Sequence, residues 1–228
     1  MHKAIFITGT DTGVGKTIIC GLLARHLALK GKQVITQKWI QTGCTGFSED
    51  IRIHDKIIGD LAVKGYSELR CPYLFKAAVS PHLAARLENR RISPQRIKSS
   101  FKLLACKFDY LIVEGAGGLL VPFNRNSLMI DIVRELNLPI LLVAENRLGA
   151  INHTLLSIET VLSRKLKLLG IVFNNAKYQQ PLVLQDNPQI IRAVAKARIF
   201  GTLPRAENLP RLSENFAPIG EKICQAIK

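Results

Sequence analysis

The chain begins with an unbroken apolar run, Ala4–Thr8 (AIFIT), that stops at Gly9. The same texture returns at Gln33–Thr36 (QVIT), Tyr110–Val113 (YLIV), Ile140–Ala144 (ILLVA) and Leu169–Phe173 (LGIVF). Runs without polar alternation bury both faces, which marks strands of a parallel sheet covered by helices. Between the runs the apolar residues change to helical spacing. Ile19, Leu22, Leu23 and Leu27 predict a helix over Lys16–Leu29, closed at Gly31. Further helices are predicted at about 93–107, 129–136, 151–164 and 189–196. Arg198–Thr202 reads as a last strand before a C-terminal helix from about Ser213. This alternation predicts an α/β fold with a mostly parallel central sheet flanked by helices on both faces. The stretch 43–94 is less regular and reads as short helices and site loops between the second and third strands. No linker, low-complexity segment or repeat breaks the pattern, so residues 1–228 are expected to form a single domain.

The first strand leads into GTDTGVGKT at 9–17 and then into the first helix. Glycines let successive backbone N–H groups curl around an anion, and the helix N-terminus adds a positive dipole end. Thr12, Gly13, Val14, Gly15, Lys16 and Thr17 are therefore the candidate phosphate cradle of an ATP site. Lys16 is placed to reach the β- and γ-phosphates, and the Thr17 hydroxyl to bind Mg²⁺. The loop is P-loop NTPase-like but has Thr10 where the common motif has its first glycine, with Gly9 one place earlier. Such a site also needs carboxylates for its metal. Glu114 ends the strand YLIV, before Gly115-Ala-Gly-Gly118, at the sheet edge where ligands of open α/β folds bind. Asp50, Asp55 and Asp60 are further candidates that spacing alone does not rank. Lys38, at the end of the second strand, would sit at the same edge as a second cation. Trp39, the only Trp, reads as packing.

Composition adds one anomaly. The chain has 32 Lys+Arg against 17 Asp+Glu, a formal +15 with a sequence pI of 9.9. Nucleic acid, an acidic membrane or a polyphosphate would each suit that balance. No apolar run is long enough to span a membrane, and the N-terminal run is too short for a secretory signal. Arg86–Lys107 holds seven Lys/Arg against one acid, Glu88, and Arg164–Lys167 forms a second cluster. With 6% aromatics and none interleaved as stacking platforms, a solvated face is expected there and nucleic acid is not. Cys20, Cys44, Cys71, Cys106 and Cys224 are scattered singly without metal-ligand spacing, which suits free thiols in a cytoplasmic protein.

Seven pieces in order give the chain a resemblance to the ATP-dependent dethiobiotin synthetase family. They are ITGTDTGVGKT, K-x-x-Q-T-G at 38–43, SPH at 80–82, VEGAGGLLVP at 113–122, LGAINHTLLS at 148–157, Asn174 and GTLP at 201–204. The resemblance implies that 7,8-diaminononanoate, CO₂ or bicarbonate and ATP are converted to dethiobiotin, ADP and phosphate through a carbamate and a carbamic–phosphoric anhydride. It implies Lys16 and Lys38 as catalytic cations and Thr17, Asp55 and Glu114 as Mg²⁺ ligands, which lifts Asp55 above its neighbours. Thr12, Lys38 and Thr42 would meet the substrate, and Gly149, Ala150 and Asn152 its carboxylate tail. Asn174, Gly201, Leu203 and Pro204 would surround adenine. A cytoplasmic homodimer is implied, with substrate near the subunit interface. Departures from the pattern are Gly13 for a common Glu, Trp39-Ile40 for Pro-Val, and Arg147 for Lys.

Two rivals share the expected fold. An amidating synthetase would carry a glutaminase domain, for which the two dozen residues after GTLP leave no room. A partitioning ATPase would carry a lysine near the loop start, where this chain has Asp11.

Overall fold

The computed structural model describes residues 3–176 and 178–227. Six strands form one parallel sheet: β1 (Lys3–Gly9), β2 (Val34–Lys38), β5 (Tyr110–Glu114), β8 (Ile140–Glu145), β9 (Leu168–Asn175) and β10 (Ile199–Pro204). Their order across the sheet is β10-β9-β8-β1-β5-β2. These are the predicted apolar runs, several extended by polar residues at their carboxyl ends: Lys38, Glu114, Glu145, Asn174 and Asn175. Those additions are the residues that face ligands in an open sheet. Two short ribbons lie outside it, β3 (Ile40–Gln41) with β4 (Tyr73–Leu74), and β6 (Pro122–Asn124) with β7 (Ser127–Leu128).

The side chains of β1 divide between two cores. Ile5 and Ile7 pack with α1 (Lys16–Leu29), α2 (Glu49–Ile58) and α9 (Leu209–Ala226) on one face. Phe6 packs on the other face with Trp39 and with α5 (Pro94–Ala105) and α6 (Met129–Glu135). A third cluster joins β8 and β9 to α7 (Ala150–Ser163) and α8 (Pro181–Ala195). Both sheet faces are thus covered, as the unbroken apolar strands require. The irregular stretch holds α2, α3 (Ser67–Arg70), α4 (Pro81–Leu87) and β4, which pairs with β3 just before it. Trp39 is fully buried, its ring 4.9 Å from Phe6 and its Nε1 donating to Gln37 Oε1 at 3.0 Å.

Two helix boundaries differ from expectation. α8 starts eight residues before the predicted 189 and contains Pro188, which interrupts the helical reading of the sequence. Proline cannot donate to the carbonyl four residues back, and Asn146 Nδ2 donates to that Leu184 oxygen instead, at 2.9 Å. α9 starts at Leu209, capped by the Asn208 side chain, which accepts from Arg211 N. No helix of the described residues is long and apolar enough to cross a membrane.

Candidate active site

The β1–α1 loop closes over the end of the sheet. Gly15 is the N-cap of α1 with φ +99°, and a Cβ there would lie 2.1 Å from Asn174 Nδ2. Only glycine accepts both that backbone and that neighbour. Asn174 donates to Val14 O at 3.0 Å, which ties β9 to the loop. Lys16 is buried and donates to Asp11 O at 2.8 Å. Burial, and then the nearby Lys38 charge, lower its pKa to about 8, against the pull of Glu114, Asp50 and Asp11.

Sheet register brings the second lysine to the carboxylate. Lys38 on β2 pairs with Glu114 on β5, and Ile7 on β1 pairs with the same Glu114. Lys38 Nζ reaches Glu114 Oε1 at 2.8 Å, Asp50 Oδ2 at 2.6 Å and Gly115 O at 3.0 Å, which engages all three of its protons. Thr17 Oγ1 donates to Glu114 Oε1 at 3.0 Å and lies 3.2 Å from Asp50 Oδ1. Burial pulls the Lys38 ammonium down, but Glu114 and Asp50 together outweigh it and hold Lys38 above the usual lysine value. Burial likewise pushes Glu114 up, while the Lys38 charge and the His54 hydrogen bond hold it well below the usual carboxylate range. Glu114 is 1% exposed and ionised, a state only such partners make tolerable.

Asp55 does not join this cluster, contrary to the expectation for the metal ligands. Its carboxylate is bound by Arg70 through two nitrogens, at 2.6 and 2.9 Å. Arg70 is itself buried and donates to Thr36 O and Thr36 Oγ1. Asp50 takes the place beside Thr17 and Glu114. Both acids lie on α2, but five residues at about 100° each turn their side chains to different faces. Ser48 sets the start of that helix, accepting from Ile51 N and donating to Gln41 Oε1.

The remaining expected residues are spread along the same edge. Thr12 is exposed on the loop, its N–H donating to Asp11 Oδ1 at 2.7 Å. Gly13 has φ +72° with open space around it, so the missing side chain leaves no void in the packing. Thr42 is half-buried just after β3. Gly149 caps α7 with φ +85°, Ala150 is buried and Asn152 exposed. No hydrogen bond among the described residues joins this helix end to Lys38 or Thr12. Leu203 and Pro204 pair with Asn174 and Asn175 at the end of β10. Gly201 lies farther back in the strand, where a Cβ would meet Ile219 of α9 at 2.8 Å. The missing side chain lets α9 pack against the strand at that point.

Sequence reasoning did not single out His54 or Asn175. His54 is fully buried on α2 with Nε2 2.8 Å from Glu114 Oε2. Asn175 Oδ1 is a buried acceptor without a hydrogen-bond partner. Cys20, His54 and Glu114 bring one ligand atom each to within 4.8 Å of one another, a convergence invisible to spacing. Burial, and then the Glu114 charge, hold the Cys20 thiol well above its ordinary value.

A family described as AAA domain matches residues 3–213. ATP-dependent dethiobiotin synthetase BioD 2 of Haemophilus influenzae is 45% identical over 189 residues, 82% of this chain and 99% of that protein. ATP-dependent dethiobiotin synthetase BioD of Chlorobaculum tepidum is 42% identical, covering 89% of this chain and 85% of its own. This chain belongs to the dethiobiotin synthetase family. A ParA family ATPase from Chlorobium tepidum superposes with a TM-score of 0.58 at 15% identity, over 100% of this chain and 98% of that one. MinD of Aquifex aeolicus gives 0.58 at 17%, over 99% and 94%. These two likenesses show the fold alone, a mostly parallel α/β sheet covered by helices on both faces.

Within that family the donor set decides which ion fits. Thr17, Asp50 and Glu114 present a hydroxyl and two carboxylates, all hard oxygen donors, which suit Mg²⁺.

Proposed function

We propose that this chain, as one synthetase domain, makes dethiobiotin from 7,8-diaminononanoate, CO₂ and Mg²⁺-ATP. The observation that carries the reading is a P-loop lysine beside a second buried lysine whose ammonium bridges two carboxylates at one sheet edge. One substrate amine adds to CO₂ and loses a proton, giving a carbamate. A carbamate oxygen attacks the γ-phosphorus and displaces ADP, giving a carbamic–phosphoric anhydride. The second amine attacks the carbonyl carbon, loses a proton and expels phosphate as the ureido ring closes.

The reacting partners are both anionic, so the chain's contribution is largely charge. Lys16 turns from the Asp11 carbonyl to the phosphates, and the loop amides of 13–17 surround them. Thr17, Asp50 and Glu114 would hold Mg²⁺, which would supply charge to screen the phosphate oxygens. Lys38, within reach of Asp50 and Glu114, would have its ammonium available to neutralise the carbamate once those carboxylates were engaged by the metal. Asn175 Oδ1 is a fitting acceptor for the adenine amino group, with Asn174, Leu203 and Pro204 beside the base.

The substrate chain fits a cleft of about 310 Å³ between Thr10, Asp11 and Gly118 on one side and His153, Leu156 and Ser157 of α7 on the other. Leu120 and Leu156, both lining it, are 49% and 54% exposed, and Leu148 at the start of α7 is 80% exposed. This apolar rim suits a second copy of the chain, so that the α7 N-terminus of one subunit serves the substrate tail in a cytoplasmic homodimer.

The test is a product assay. Purified protein with the diamine, bicarbonate and Mg²⁺-ATP is expected to yield dethiobiotin by mass spectrometry. ATP consumption without that product would refute the reading.

A further inference from the structure

The metal-binding carboxylate has a buried partner on its far side. Glu114 spends Oε1 on Lys38 and Thr17, both at the reacting edge. Among the described residues its other oxygen, Oε2, has a hydrogen-bond contact with His54 Nε2 alone, at 2.8 Å, in a region where neither side chain is more than 1% exposed. An ionised carboxylate accepts and never donates, so the proton in that contact belongs to the imidazole. His54 stands one helical turn beyond Asp50 on α2, on the same face. One turn of one helix therefore supplies a carboxylate beside Thr17 and a donor that holds the other carboxylate in place. Helix α2 is pinned at its start by Ser48 and Gln41 and packs along α1, which fixes both side chains against the sheet edge.

The geometry points to His54 as a positioning residue for the metal site, one that locks the rotamer of Glu114 by donating from Nε2. Packing alone does not account for an imidazole here. His54 Nδ1 is buried without a hydrogen-bond partner, a penalty that a leucine or methionine of similar volume would not carry. The ring is kept where its other nitrogen does work on Glu114. Partners of this kind orient ligating carboxylates, and their loss commonly weakens metal binding by about 10- to 100-fold.

The inference rests on the Mg²⁺-ATP reading, and its test measures metal binding rather than dethiobiotin. Mn²⁺ is titrated by electron paramagnetic resonance into wild type, His54→Met and His54→Gln, each saturated with ADP. His54→Met is expected to weaken Mn²⁺ about 10- to 100-fold, with ADP affinity in the absence of metal unchanged. His54→Gln, whose amide nitrogen falls near the lost Nε2, is expected to recover most of that loss. Equal Mn²⁺ affinity in all three proteins, or no recovery with glutamine, would overturn the role. Should His54→Met fail to fold, wild type labelled with ¹⁵N-histidine decides. The His54 Nε2–H resonance is expected to shift with the midpoint of Mg²⁺ binding, and a resonance indifferent to Mg²⁺ would overturn the role equally. Failure of the synthetase reading would appear instead as absent dethiobiotin from a wild-type protein that still binds Mn²⁺.

Discussion

Two regions of this molecule concentrate charge, and they do so in opposite ways. At the carboxyl edge of the sheet Lys38, Glu114 and Asp50 are buried or largely so and bound to one another, and the buried Lys16 ammonium feels the charge of all three. Along α4, α5 and their links, Arg86, Arg91 and Lys102 are exposed with no salt bridge among the described residues. The first group holds ionised states that water would otherwise have to supply, so each member depends on the others. The second interacts with solvent at little mutual cost. Net charge therefore says little about this protein's chemistry, because most of the excess is remote from the paired charges that act.

The exposed stretch is also less plain than a solvated face. Arg90 stacks on Phe75 at 4.7 Å, Arg96 on Tyr73 at 5.1 Å, and Lys107 on Tyr66 at 5.1 Å. The aromatic partners come from 66–75, distant in sequence, so interleaving could not be seen along the chain. Tyr73 and Phe75 lie at the β3–β4 ribbon and Tyr66 at the start of α3, its ring edge-on to Phe108, so these cations cover rings of the irregular stretch, a structural use worth about 0.5–1 kcal/mol each at exposed sites.

If the contrast is right, mutations in the two regions should separate widely. The largest effect is expected from Lys16→Ala or Glu114→Gln, each lowering kcat by about 10²- to 10³-fold or more while far-UV circular dichroism stays native. Near wild-type turnover in either would remove that residue from the mechanism.

The two acids of α2 give a sharper test. Asp50→Asn is expected to weaken Mg²⁺-dependent turnover by about 10-fold or more with a small change in thermal stability. Asp55→Asn is expected to do the reverse. It costs about 1–3 kcal/mol of stability, because Arg70 stays buried with a weakened partner, and leaves the Mg²⁺ dependence of turnover in place. Thermal melts and Mg²⁺ titrations on both variants decide the assignment.

The smallest effect is expected from the exposed cations. Arg86→Glu, Arg91→Glu and Lys102→Glu combined should change kcat/KM less than about twofold and stability by no more than about 0.5 kcal/mol per site. A larger loss would mean that this surface serves catalysis or binding after all.

The Asp50 and Asp55 result shows where reading a sequence stops. The strands were legible because doubly buried strands carry a continuous apolar signal, and the loop because glycines and Lys16 stand in one local run. Asp50 and Asp55 belong to one helix, and only the placement of that helix against α1 tells which face meets Thr17. His54 was hidden for the same reason, since its partner Glu114 lies 60 residues away on another element. The start of α8 was masked by Pro188, which has no N–H for the Leu184 carbonyl, and Asn146 serves that oxygen from outside the helix. Gly201 shows the same limit, because a glycine in a motif signals close approach without saying that a helix, here α9 through Ile219, is what approaches.

The central claim is that the buried charge cluster drives phosphoryl transfer onto a carbamate. A single-turnover reaction with ¹⁸O-labelled bicarbonate tests it most directly. One carbamate oxygen must leave with the phosphate, so the released phosphate is expected to carry one ¹⁸O from bicarbonate, with the other carbamate oxygen in the ureido carbonyl and the third bicarbonate oxygen lost to water when CO₂ forms. Phosphate whose new oxygen comes from water would contradict the account and reduce the cluster to a hydrolytic ATPase site.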